Sequence, residues 1–543
     1  MQQTDDLYQG YLEEMHALEN FRVTYTGVHE GVPLEREDPE VRRLIEAMAF
    51  FTARTRASAL RNILATNRRL FQQFFSFLLS PLPSMGFMQA TISGRFAEPA
   101  TLPANSEVMV SPEEGQGAIF RTMNDLRILP IKLEGVDTLV KPRGDLRVAL
   151  HFRTGFARND EIGTLSFFIN HLNDYQASLN VLDNLRKHVR KCAVVFDEKV
   201  TDETLGSQCE VSFGAQTESD GHPHAPHPVQ RVRLFFHFPQ RELYLNVKVP
   251  APPRNWKKFS IFFDLAPQWP KNLRLNPDIF QLFTVPIVNL RAGNAQPVLC
   301  DGTHERYPLR HPEMQRKFAL HSVLGVYELA EKGKVALRPG IIAGGSGSFE
   351  VERAMESGQE VAYLKLNYPE AFEEAKKLVI EALWLQPWFS EKLAGRLSVA
   401  LHEREIAGLD FELLGDVRPH VANSLQNSAE GLLQILAMKS KTQLSLDELQ
   451  ALLNALGTFK SSTFRQIPSL LQELAVSTVP LPKEQGGGLQ YNYRFRLKEF
   501  DATYRPMVDA FMKQIAMLLN GWTPDGNVVI EAQVPGSEDV MRF

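Results

Sequence analysis

Behind Asp38-Pro39-Glu40 the chain runs for about forty residues with apolar side chains recurring at helical spacing. Asp38 suits an N-cap, Pro39 the first helical position, and Glu40 the positive end of the helix dipole. The apolar set is Val41, Leu44, Ile45, Met48, Phe51, Leu60, Ile63, Leu64, Leu70, Phe71, Phe74 and Leu78. An unbroken helix of that length would span about 60 Å. A helix with so broad an apolar face must bury it against a partner. A second, shorter helix is expected before it, near Leu7 to Phe21.

The charges on the long helix are uneven. Arg43, Arg54, Arg61 and Arg68 keep to one stripe, drifting by about 20° per heptad. From Arg54 to Arg69 there are five arginines and no acid. This is either a solvated basic face or a docking face for an acidic partner helix. The candidate partner-binding residues are therefore Arg43, Leu44, Ile45, Met48, Phe51, Arg54, Arg61 and Arg68.

The remaining composition narrows the class. A length of 543 residues suggests several domains. Lys+Arg number 59 against 64 Asp+Glu, a net charge of -5, which disfavours general nucleic-acid binding. Three cysteines, Cys192, Cys209 and Cys300, are too few for a disulfide framework or a four-thiolate zinc site, and fit a reducing compartment. The first residues lack a basic-then-apolar leader. The uncharged stretch between Arg69 and Arg95 is interrupted by Gln72, Gln73, Pro81 and Pro83, so it reads as a helix end, a proline-bounded turn and a strand rather than a membrane span.

From Gly86 to about Leu299 strand signals dominate. Examples are Arg147 to Arg153, Gly163 to Ile169, Val232 to Phe238 and Phe259 to Phe263, with one helix expected over Asp174 to Lys191. Helices are expected again over Pro369 to Leu383, Ala429 to Met438 and Leu446 to Leu456, the last opened by a Ser445/Glu448 capping box. Near the C-terminus Leu489, Tyr491, Tyr493, Phe495 and Leu497 alternate with polar residues, which marks a strand with one buried face. A helix over Pro506 to Leu519 and a strand over Val528 to Ala532 follow. The expected architecture is α+β and multi-domain: a helical region over residues 1–84, β-rich domains over 85–335 and an α+β region over 336–543.

The sequence carries no specific catalytic, nucleotide-binding or metal-binding motif. His222, His224 and His227 cluster in a polar, proline-broken loop (Glu218 to Pro228), but no Cys or carboxylate pair stands at ligand spacing. His402-Glu403-Arg404-Glu405 lacks the second histidine of a zincin helix. The Gly340 to Gly347 run fits neither a phosphate loop nor a nucleophile elbow. Cys192 with His188 and Cys300 with His304 are near in sequence only, and two buried or half-buried thiols are the expectation. No catalytic residue, cofactor or metal is expected.

Several stretches carry a family resemblance. They are Glu37 to Val41 with Arg43 to Phe50, Pro81 to Met85, Leu165 to Ile169 with Leu179 to Leu185, and Phe238 to Leu245. The most specific is Phe280 to Leu290, containing Val285-Pro286-Ile287-Val288-Asn289-Leu290, then Gln296-Pro297-Val298 and Glu305 to Pro308. In order along the chain they resemble the TssF family, baseplate subunits of the type VI secretion system. Two departures stand out: Thr284 and Val285 replace a usual Cys, and Leu385-Gln386-Pro387-Trp388 replaces a Thr-Asn-Arg-rich turn. The resemblance implies a scaffold with wing-like β domains. It also implies association of two copies with one TssG-like subunit through N-terminal helices, around a spike hub. TssK-like and TssE-like subunits and the sheath attach to such a ring. The implied location is cytoplasmic, docked at the inner face of the membrane through the secretion complex, without membrane insertion or nucleic acid. A phage-tail wedge protein and a cytosolic hydrolase are the alternatives.

Overall fold

The computed structural model describes residues 2–28, 39–94, 96–142, 144–215, 227–331, 333–340, 347–356, 359–368, 374–402, 404–423, 425, 429–457, 459–481, 488–523, 527–534 and 540–543. The chain forms two compact units, Met1–Leu79 with Ser424–Met438, and Ser80–Asn423 with Lys439–Phe543.

The first unit is helical. α1 covers Gln2–Val28 and α2 covers Pro39–Phe75. α1 is thus longer than its apolar pattern suggested, and the proposed N-cap Asp38 lies outside the described residues. The two helices pack on each other, and on α2 the row of every fourth residue, Val41, Ile45, Ala49, Ala53 and Ala57, is buried or half-buried. Ala49 and Ala53 are buried, and a Cβ placed on Gly10 of α1 would lie 3.9 Å from that of Ala53. Small residues on both sides therefore set a close approach.

The second unit opens with a six-stranded antiparallel sheet, ordered Leu397–Leu401, Glu107–Pro112, Ala118–Thr122, Thr284–Val288, Met85–Ile92, Leu409–Leu413. The two outer strands are consecutive in sequence and lie close together, so the sheet curls. A second assembly pairs a five-stranded with a four-stranded sheet. Their aromatic filling includes Phe152, stacked on Phe259 at 4.6 Å and 6.0 Å from Phe167 across the layer. A third is a sandwich built from residues 291–385. Its core holds Val326, Leu364, Leu378, Ile380, Ala382 and Trp384. Finally, Leu489–Leu497 pairs in parallel with Val528–Gln533 across the helix Arg505–Trp522.

Three sequence expectations need correction. Val232 to Phe238 is not a strand: Pro228–His237 is a helix, capped by His227, whose imidazole accepts from the Val229 N–H at 3.2 Å. Val229, Val232, Phe235 and Phe236 are buried at helical spacing, a pattern that a short apolar run hides. Within the expected helix Pro369 to Leu383, Lys376–Leu385 is a strand that buries Leu378, Ile380, Ala382 and Trp384 alternately; residues 369–373 lie outside the described ones. The Asp174 helix ends at His188, and Val189–Phe196 continues as a strand.

Two buried polar clusters order the second unit. The chain passes between curled sheet and sandwich at Asn289 and again at Gln386, both essentially inaccessible to solvent. The Gln386 N–H donates to Asn289 Oδ1 at 2.7 Å, Asn289 Nδ2 to the Ile119 carbonyl at 2.7 Å, and the Ile119 N–H to Gln386 Oε1 at 2.8 Å. This ring ties both crossings to the curled sheet. Arg291 spans the same junction, donating to Glu107 at 2.9 Å and Glu313 at 2.6 Å.

The second cluster is cationic. Arg233 donates to the Ser80 and Leu456 carbonyls at 2.7 and 3.0 Å, and Arg418 to those of His237 and Ser461 at 3.1 and 3.0 Å. His237 Nε2 lies 2.9 Å from the Pro83 carbonyl, and burial takes its pKa down to about 4. His321, buried in the sandwich, is held down to about 3 by burial and then by Arg353.

Replacing Gln386 by Leu should cost about 3 kcal/mol or more, because the Ile119 N–H and the Asn289 amide lose buried partners. Denaturant unfolding checks this. Histidines held neutral give full stability above the unfolded pKa near 6.5 and lose it as pH falls toward about 4. At pH 5 His237 and His321 should each cost about 2 kcal/mol. Melting temperature should therefore drop steeply from pH 7 to 5, and His237→Gln should flatten part of that slope.

Candidate partner-binding surface

At about 100° per residue, Leu44, Met48 and Phe51 fall on one arc of α2, on the side opposite Ala49 and Ala53. They are 61%, 50% and 64% exposed, although each is a large apolar residue. Leu60, Ile63 and Leu70 are exposed as well, but the same spacing turns them away from this arc, toward the side of Ile45 and Ala49. α1 adds Tyr8 with Leu12, and Phe21 with Tyr25, each pair one helical turn apart and exposed. The Phe21 and Tyr25 rings stack at 5.8 Å. Exposed apolar area on this scale marks an interaction site.

The structure brings Leu44, Met48 and Phe51 together. Ile45 belongs instead to the row that faces α1 and is half-buried. Arg43 and Arg54 are exposed beside the apolar arc, Arg68 is half-buried, and the Arg61 side chain lies outside the described residues. Arg56, which is not in the stripe, meets acids of α1. It donates to Glu13 at 3.5 Å and Glu14 at 3.3 Å on α1. These surface pairs stabilise by at most about 1 kcal/mol and mainly set the register of the hairpin. The α1 aromatics were not among the sequence candidates. Their i, i+4 pairing was the available signal, but α1 has a weak apolar bias overall.

Among the described residues no comparable site for chemistry is present. Cys192, Cys209 and Cys300 are free and buried, and Cys300 belongs to the sandwich core. His227 is occupied as a helix cap, while His222 and His224 lie outside the described residues. Among the described residues no group of three His, Cys, Asp or Glu could hold a metal. A Ser–His–Asp chain is present among the described residues: His151 Nδ1 is 2.8 Å from Ser260 Oγ and Nε2 is 3.1 Å from Asp137. Ser260 is buried in a strand paired on both sides, so its main-chain groups belong to the ladder and are not aimed at an oxyanion. Among the described residues no helix is long and apolar enough to cross a membrane.

A profile of the family described as type VI secretion system, TssF, matches residues 7–348, well over half of the chain. No curated protein matches. Solved structures that share the fold include two from type VI secretion systems. One is from a type VI secretion system TssK-TssF-TssG baseplate subcomplex, with TM-score 0.73 and 16% identity, over 93% of this chain and 98% of that one. The other is from the baseplate complex of a type VI secretion system, with TM-score 0.60 and 15% identity, over 97% and 96%.

Ala53→Leu should force α1 away from α2, at a cost of about 1 to 3 kcal/mol from overpacking. Limited proteolysis should then cut within residues 2–28 sooner than in the parent chain, while the second unit stays resistant.

Proposed function

This chain belongs to the TssF family of the type VI secretion system and is a structural component of that system's baseplate; from this premise we propose that the α1–α2 hairpin is its assembly element. Its exposed arc, centred on Leu44, Met48 and Phe51, packs against helices of a TssG-like subunit and a second copy of this chain. Arg43 and Arg54 flank the arc and, with Arg61 and Arg68 of the same sequence stripe, select acidic partner surface. TssK-like and TssE-like subunits, the sheath and the spike hub are further neighbours in the assembled ring, on the cytoplasmic side of the membrane. The protein acts as scaffold and carries no catalysis of its own.

The observation that supports this reading most is the apolar arc itself. It lies away from the intramolecular helix contact and stays uncovered in the chain alone. Each large side chain left in water forgoes about 1.5–3 kcal/mol of burial. A chain with such a surface should self-associate when expressed alone and become monodisperse with its partner.

Leu44→Ser, Met48→Ser and Phe51→Ser together should abolish co-purification with the TssG-like subunit, with unchanged circular dichroism. Reversing Arg54, Arg61 and Arg68 to Glu should weaken the complex by several kcal/mol if an acidic face meets them. Full complex recovery from the serine triple variant would contradict the assignment. Normal recovery from the arginine variant alone would reduce the stripe to a solvated face.

A further inference from the structure

A cleft of about 740 Å³ opens on the second unit, between the sandwich and the segment that leaves it after Leu385. Half-buried Phe318 and Trp388 form an apolar floor, and Met314 stands exposed at the mouth. The floor is fixed in advance. The Arg316 carbonyl accepts from the Trp388 indole N–H at 3.2 Å and from Gln386 Nε2 at 3.1 Å. The turn carrying Met314 and Lys317 is thereby tied to the Asn289–Gln386 ring. A preformed wall costs a ligand less ordering on binding.

The charges of the lining do not cancel evenly. Glu360 is matched by Arg353 at 2.6 Å. Glu356 accepts from the Tyr363 hydroxyl at 2.5 Å and has Arg306 at 3.7 Å. Burial lowers the pKa of His311 and of His420, so both imidazoles are uncharged at neutral pH. Arg310 and Lys317 remain, exposed and without a side-chain hydrogen bond or ion pair among the described residues. An apolar floor with two uncommitted cations at its rim suits a ligand that is apolar at its centre and anionic beside it. A nucleic acid backbone is a poor fit, since two cations release too few counterions to hold it.

We propose that this cleft docks an extended acidic segment of a partner subunit, seating one aromatic or aliphatic side chain on Phe318 and Trp388 and carboxylates at Arg310 and Lys317. The proposal rests on the baseplate reading but uses a surface distinct from the helical hairpin. The test places the photo-crosslinker p-benzoylphenylalanine at Met314, in the chain co-assembled with its baseplate subunits. Mass spectrometry then identifies the linked peptide. The expected product is one partner segment rich in Asp and Glu around an apolar residue. Arg310→Glu with Lys317→Glu should lower its yield roughly ten-fold or more, with hairpin-dependent co-purification unchanged. No cross-link in an assembled complex, a neutral or basic linked segment, or a yield indifferent to the reversal would each overturn the proposal. Failure of the complex to form, seen as lost co-purification, would overturn the baseplate reading and this proposal together.

Discussion

The ring of hydrogen bonds among Asn289, Gln386 and Ile119 governs the second unit. Two chain crossings connect the curled sheet to the sandwich, and both are buried. A crossing of this kind leaves backbone groups without a ladder, and buried main-chain N–H and C=O groups need partners. Carboxamide side chains solve the problem because each offers a donor and an acceptor in one plane. Asn289 and Gln386 satisfy each other and the Ile119 peptide without introducing a charge. Gln386 then reaches on to the Arg316 carbonyl, which also holds Trp388. The interaction that joins two β assemblies thus also shapes the wall of the basic-rimmed cleft.

A different constraint acts in the helical unit. Ala49, Ala53 and Gly10 let α1 and α2 approach closely, and this consumes only a narrow face of each helix. Leu44, Met48, Phe51, Leu60, Ile63 and Leu70 of α2 remain exposed. Close packing on one side and an open arc on the other are two results of one residue pattern. Alanines occupy the middle of the row that includes Ala53, and Leu44, Met48 and Phe51 occupy the opposite side. The hairpin is therefore stable enough to present a surface while retaining a drive to associate.

Much of this was legible in the sequence wherever periodicity and capping agreed. The long helix, the Ser445–Glu448 capping box and the alternating strand Leu489–Leu497 all appear where their local chemistry places them. Short apolar runs were ambiguous. Val232 to Phe238 looks like a strand because its aromatics are adjacent, yet the His227 cap and Pro228 start a helix. Lys376 to Leu385 begins with helix-favouring residues, but the sandwich core takes every second side chain. The motif around Asn289 was visible as a signature, while its role depends on Gln386, about a hundred residues on. Contacts over such separations leave no periodic trace. For the same reason the sequence could assemble the candidates on α2 but could not tell that Ile45 is half-buried in the row that includes Ala53, or that Arg56 pairs with Glu13 and Glu14 of α1.

Hydrogen–deuterium exchange of the chain, free and in complex with its TssG-like subunit, tests the assembly role most directly. Amides of α2 between Leu44 and Leu70 should exchange roughly ten-fold or more slowly in the complex, since a covered helix opens less often. The Ile119 amide, already locked in the Asn289–Gln386 ring, should not change. A complex that forms with unaltered exchange across α2 would contradict the account.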